Sequence, residues 1–152
     1  MKRFAFCSLL LMHSLVPVGM AGEALSPAVL DAYYRIADAL AADSLQGVAE
    51  NALAVAKGTK DPALQLSATN VAAATQVDLE KAREIFKTFS SVLANGIKFG
   101  DYELPHGTVY RVHCPMVNAD WLQVNNEPIR NPYHGSSMLD CGGVTETYSA
   151  KK

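Results

Sequence analysis

Cysteine is scarce in this 152-residue chain: there are three, at positions 7, 114 and 141. None stands in a C-x-x-C arrangement or at the close spacing of a zinc knuckle, which excludes the thioredoxin-like motif and the common structural zinc sites. Charge is sparse too, with 13 basic against 15 acidic side chains and no basic stripe, so neither nucleic acid nor an anionic membrane is an expected partner. The helical part lacks paired Glu-x-x-His and His-x-x-x-His sequences, which removes the di-iron and zinc bundles. No carboxylate-rich cage for calcium or magnesium is present. There is no nucleophile elbow and no Ser-His-Asp order, and the chain is expected not to be an enzyme. Beyond the first twenty residues no apolar run approaches the ~20 residues of a membrane span.

What is present begins with an N-terminal address. Lys2 and Arg3 precede an apolar run over 4–18, and Gly19, Met20 and Ala21 supply the small residues of a cleavage site. Residues 1–21 read as a secretory signal peptide, placing the chain in the periplasm. Its removal takes two basic residues and Cys7, leaving 11 basic against 15 acidic groups, a net charge of −4, and two cysteines. Residues 22–152 suit one domain with a real core.

Helical spacing dominates the first part, about 26–96. Ser26 followed by Pro27 is a cap with proline at the first helical position, and Val29, Tyr33, Ile36 and Leu40 recur behind it. A second helix is expected from Asp43 or Ser44 to Gly58, carrying Leu45, Val48, Ala52 and Val55. A third is expected from Pro62 to about Val77, with Leu64, Ala68, Val71 and Thr75 on one side. Asp78 caps a fourth, whose stripe of Leu79, Ala82, Phe86, Phe89 and Leu93 ends near Gly96. The expected architecture is therefore mainly α, an antiparallel four-helix bundle. The charged residues of "DLEKAREIFK" read as a solvated face.

After Gly96 the composition turns to glycine, proline, asparagine and aromatics, and over about 99–148 a small irregular β-containing segment is expected to lie on the bundle. "GTVYRVHCP" alternates as a strand does, with Tyr110, Val112 and Cys114 on one face and Arg111 and His113 on the other. "DWLQV" reads as a second strand, and "RNPYHGSSMLDCGG" mostly as loop.

The chemistry is concentrated in that segment. His106, His113, Cys114, Met116, His134, Met138 and Cys141 are its donor side chains. Thiolate, thioether and imidazole together suit Cu(I) or Ag(I) better than zinc. Pro115 holds Cys114 extended, which lets Met116 return to the side that Cys114 faces and points His113 away. Met138 and Cys141 share a side only if the backbone between them makes a helical or 3₁₀ turn. The bland readings stand beside this one. Methionines such as Met116 and Met138 are more often core fillers than ligands, His106 reads as a surface residue, and Trp121 and Tyr133 as packing between the two segments. In an oxidising compartment the two cysteines also suit a plain disulfide worth about 3 kcal/mol. The residues leave both readings open: a soft-metal site, or a disulfide-stabilised structural or interaction module of the envelope.

"HCPM", "ADWLQ" and "IRNPYHGSSMLDCG" together resemble a family of exported domains that occurs alone or appended to HlyD-type periplasmic adaptors of heavy-metal efflux pumps. Its pattern is matched by Cys114-Pro115-Met116, Trp121-Leu122, Asn131-Pro132-Tyr133 with Gly135, and Met138-Leu139 with Cys141-Gly142. The N-terminal helices are of the family's type, so the resemblance covers nearly all of the mature chain. It implies periplasmic copper or silver binding or buffering, a periplasmic efflux adaptor as partner, and no reaction. The implied ligands are Cys114, Met116, Met138 and Cys141, with His113 or His134 completing the set. His134 departs from the pattern, since relatives carry an aromatic residue there.

Overall fold

The computed structural model describes residues 22–151, so the signal-peptide expectation over 1–21 lies outside the described residues. Four helices form: α1 (Pro27–Ala41), α2 (Val48–Gly58), α3 (Pro62–Ala74) and α4 (Leu79–Phe99). Their starts follow from caps. Ser26, Asp61 and Asp78 each accept a backbone N–H from the first turn, those of Val29, Leu64 and Lys81. The stripe residues Val29, Tyr33, Ile36, Leu40, Val48, Val55, Leu64, Val71, Phe86, Phe89 and Leu93 are all buried.

The expectation of a mainly α bundle trailed by a small irregular segment is wrong, because 108–114, 119–123 and 143–149 pair into a regular sheet that shares the helices' core, while 124–142 is loop with one 3₁₀ turn. A three-stranded antiparallel sheet in the order β4 (Ala119–Gln123), β3 (Thr108–Cys114), β5 (Gly143–Ser149) joins a two-stranded parallel pair, β1 (Glu23–Ala24) with β2 (Tyr102–Glu103). The fold is mixed, helices and sheet sharing one core. Consecutive helices pack on one another, and β4 packs on α4 and α1. Between α1 and α4 the Tyr33 ring stacks on Phe86 and meets Phe89 at a tilt, each centroid 5.5 Å away. Tyr33 also bonds Ser90 of α4 and accepts the Leu122 N–H of β4 at 3.0 Å, so one hydroxyl ties both helices to the sheet.

Two helix ends differ from the periodic reading. Gly96 lies inside α4 rather than ending it: a Cβ there would stand 2.1 Å from the Tyr102 ring, so glycine is needed for close approach, and Gly100 at φ +84° makes the C-cap. Asp43 does not start α2. It takes φ 55° in the turn after α1, where its carboxylate receives Arg83 of α4 at 2.6 Å and the Ser136 N–H at 3.0 Å. Arg83 also donates to the carbonyls of Leu40 and Pro132, so one residue of the expected solvated face fastens the 131–138 loop to the helices.

The Ser136 hydroxyl first, then Arg83 and the Ser136 N–H, hold the Asp43 carboxyl at about 2. A depressed carboxylate stabilises above its unfolded pKa of about 3.9, and the contribution is lost as pH falls through the folded value. Denaturant midpoints are therefore expected to drop between about pH 4 and pH 2, with a shallower slope in Asp43→Asn. Equal slopes in the two proteins would exclude Asp43 as a contributor.

Candidate functional site

Sheet register decides which donors meet. β3 and β4 pair Val112 with Trp121 and Cys114 with Ala119 on one face, and His113 with Asp120 on the other. Cys114 is fully buried and ends β3, immediately before the 115–118 turn, which Asn118 allows by adopting φ 46°. The second segment returns across this face. Asn131, fully buried, accepts the Tyr133 and His134 N–H groups on Oδ1 at 2.8 and 3.2 Å and donates from Nδ2 to the Cys141 carbonyl at 2.6 Å. The Asn131 N–H donates to the Leu139 carbonyl. Residues Gly135–Ser137 form a 3₁₀ turn, and the Cys141 N–H bonds the Met138 carbonyl at 3.1 Å, so the backbone does turn between Met138 and Cys141.

The outcome is a sulfur pair: Cys114 Sγ and Cys141 Sγ stand 3.3 Å apart as free thiols. Cys141 is half-buried on the loop side, reachable where Cys114 is not. Gly142 makes the approach possible, because a Cβ there would lie 2.6 Å from Trp121 Cη2 and 3.2 Å from the His113 carbonyl oxygen. Trp121 packs edge-on against Tyr133 with centroids 5.9 Å apart, and the Tyr133 hydroxyl donates to the Asp120 carbonyl. The two segments are thus held together by aromatic packing.

The two sulfurs are not equivalent. Burial acts upward on Cys114, but the Val117 N–H, the Cys141 thiol, the Asn131 amide and the Met116 N–H all favour its thiolate and bring its pKa below the ordinary thiol value. Cys141 is pushed the other way, chiefly by the hydrogen bond with Cys114. Of the two, Cys114 is buried and the more readily ionised, and Cys141 is the more accessible.

The predicted histidine donors do not join them. His113 points to the opposite face, where its Nδ1 bonds Asp120 at 2.8 Å while Arg111 Nε holds the other carboxylate oxygen at 3.1 Å. His134 lines a separate cleft of about 480 Å³ with Lys87, Glu84 and Tyr133, and His106 is exposed. Among the described residues no three His, Cys, Asp or Glu side chains gather in metal-holding geometry. Met116 and Met138 are 66% and 36% exposed, which removes them from the core-filler reading.

Three residues that shape the site are met in the sequence only within motifs, with no structural role assigned: Asn131, Gly142 and Asp120. The strand register is the one signal that pairs Asp120 with His113. No protein-family model, no curated protein and no solved structure matches this chain.

Proposed function

We propose that this protein is an exported binder or buffer of a soft monovalent cation, Cu(I) or Ag(I), held as cargo between Cys114 and Cys141. The observation that carries the reading is the sulfur pair itself, brought together from positions 27 residues apart in sequence. Two thiolates without a grouped imidazole or carboxylate suit a soft ion of low coordination number, whereas zinc calls for four ligands. With metal–sulfur bonds of about 2.3 Å, a linear bridge spans about 4.6 Å. Cys141 would swing outward from its present 3.3 Å to admit the ion. The exposed thioethers of Met116 and Met138 suit transient capture, since incoming and outgoing sulfur can bind a low-coordinate ion together. The resemblance to domains of heavy-metal efflux adaptors supports the same reading and makes such an adaptor the natural partner in the periplasm.

Because the Cys141 proton must leave, affinity is expected to rise with pH through the thiol range. The test is a titration of the reduced protein, free of oxygen, with Cu(I) against a colorimetric chelator. Competition up to a single equivalent is expected, lost in Cys114→Ser and in Cys141→Ser. No competition by the unaltered protein at micromolar concentration overturns the proposal.

A further inference from the structure

We infer that the same two residues form an entry-and-resolving dithiol toward low-molecular-mass disulfides such as oxidised glutathione. Cys141 is the sulfur that meets the reagent, and Cys114 the one that closes the bridge. This inference stands on the free protein and does not rest on the metal reading.

Access sets the order. Cys114 is fully buried, while Cys141 is half-buried and followed by two residues without side chains, Gly142 and Gly143, the second open on its Cβ side. A disulfide arriving from solvent can touch only Cys141. Position then sets the outcome. The Cys141 backbone is held on both sides, its N–H on the Met138 carbonyl and its carbonyl on Asn131, so after modification its sulfur remains within a side-chain rotation of Cys114. An attacking sulfur already 3.3 Å from its target is close to a reactive approach.

The steps balance as an ordinary exchange. Cys141 Sγ attacks one sulfur of the reagent; the reagent's S–S bond breaks, and one half leaves as a thiol carrying the proton that Cys141 gives up. Cys141 now bears the other half as a mixed disulfide. The Cys114 thiolate attacks Cys141 Sγ, the mixed bond breaks, and the second half leaves as a thiolate. Each protein sulfur has given up one electron, and each reagent sulfur has gained one. The second step is intramolecular, between sulfurs already 3.3 Å apart, which makes it the faster. A closed bridge removes both proposed metal ligands, so oxidation and metal loading exclude one another.

The experiment treats the reduced protein with oxidised glutathione in the presence of a metal chelator, quenches with acid at intervals, and reads intact and peptide masses. The unaltered protein is expected to pass to a form lighter by two hydrogens with no accumulating adduct. Cys114→Ser is expected to stop as a mixed disulfide on Cys141, and Cys141→Ser to stay unmodified while folded. A stable adduct on the unaltered protein, adducts on both cysteines, or Cys141→Ser reacting as fast as Cys114→Ser would each overturn the order. The first two outcomes are read on the unaltered chain and do not depend on how a variant folds. Failure here with intact Cu(I) competition would leave the cation binder standing, and the reverse result would leave the dithiol.

Discussion

Asn131→Ala is expected to destabilise the protein by about 3 kcal/mol and to free Cys141 from Cys114. The substitution removes the acceptor of two N–H groups, Tyr133 and His134, and the donor to the Cys141 carbonyl, all at or near the core. A buried polar group left without its partner costs about 1–3 kcal/mol; relaxation of the loop and entry of water keep the sum below three full penalties. Denaturant unfolding measures the stability loss, and the alkylation rate of Cys114 measures its release. A loss under about 1 kcal/mol with unchanged Cys114 reactivity would remove Asn131 as the clamp. Asn131→Asp separates the two roles. It keeps the acceptor for Tyr133 and His134 but loses the donor and sets a carboxylate beside Cys114, so the thiol is expected to titrate higher than in the unaltered protein.

Gly142→Ala is expected to cost about 2–4 kcal/mol, from overpacking and from a positive φ that suits glycine. The new methyl meets the outer edge of the Trp121 indole at 2.6 Å, and the 141–143 connector has to lift from the sheet. The Cys141 sulfur then moves away from Cys114, and both Cu(I) competition and bridge closure are expected to weaken. Phenylalanine at 121 lacks the far ring that the methyl strikes. In a double-mutant cycle the Gly142→Ala penalty is therefore expected to shrink in the Trp121→Phe background, with the backbone part persisting. Thermal or denaturant melts of the four proteins check this. An equal penalty in both backgrounds would show that Trp121 is not what glycine accommodates.

Much of the helical half was legible because its signals are local. Ser26, Asp61 and Asp78 act on N–H groups three residues away, and the buried stripes of α1 and α4 repeat at helical spacing. Alternation in β3 was legible for the same reason, since a strand turns its side chains every second residue. What misled was single residues with two uses. Gly96 resembled a terminator, yet its bare Cα makes room for Tyr102; Asp43 resembled a cap, yet it serves Arg83 and Ser136 across the fold. The pairing of β5 with β3 and of β1 with β2 depends on partners far away in the chain. A two-residue strand such as β1 carries no period at all.

The amino-acid order alone determined the helices, the β3 alternation that separates Cys114 from His113, and the chemical kind of donor available, because each depends on neighbours within a turn or a strand. Only the tertiary structure decided that Cys114 and Cys141 meet at 3.3 Å, that His113 is spent on Asp120, and that the methionines face solvent. The reason is that sulfur proximity here is set by strand register, by the Asn131 clamp and by the passage of Gly142 over Trp121. Those are contacts between distant segments, and their energy exists only once the chain has closed on itself.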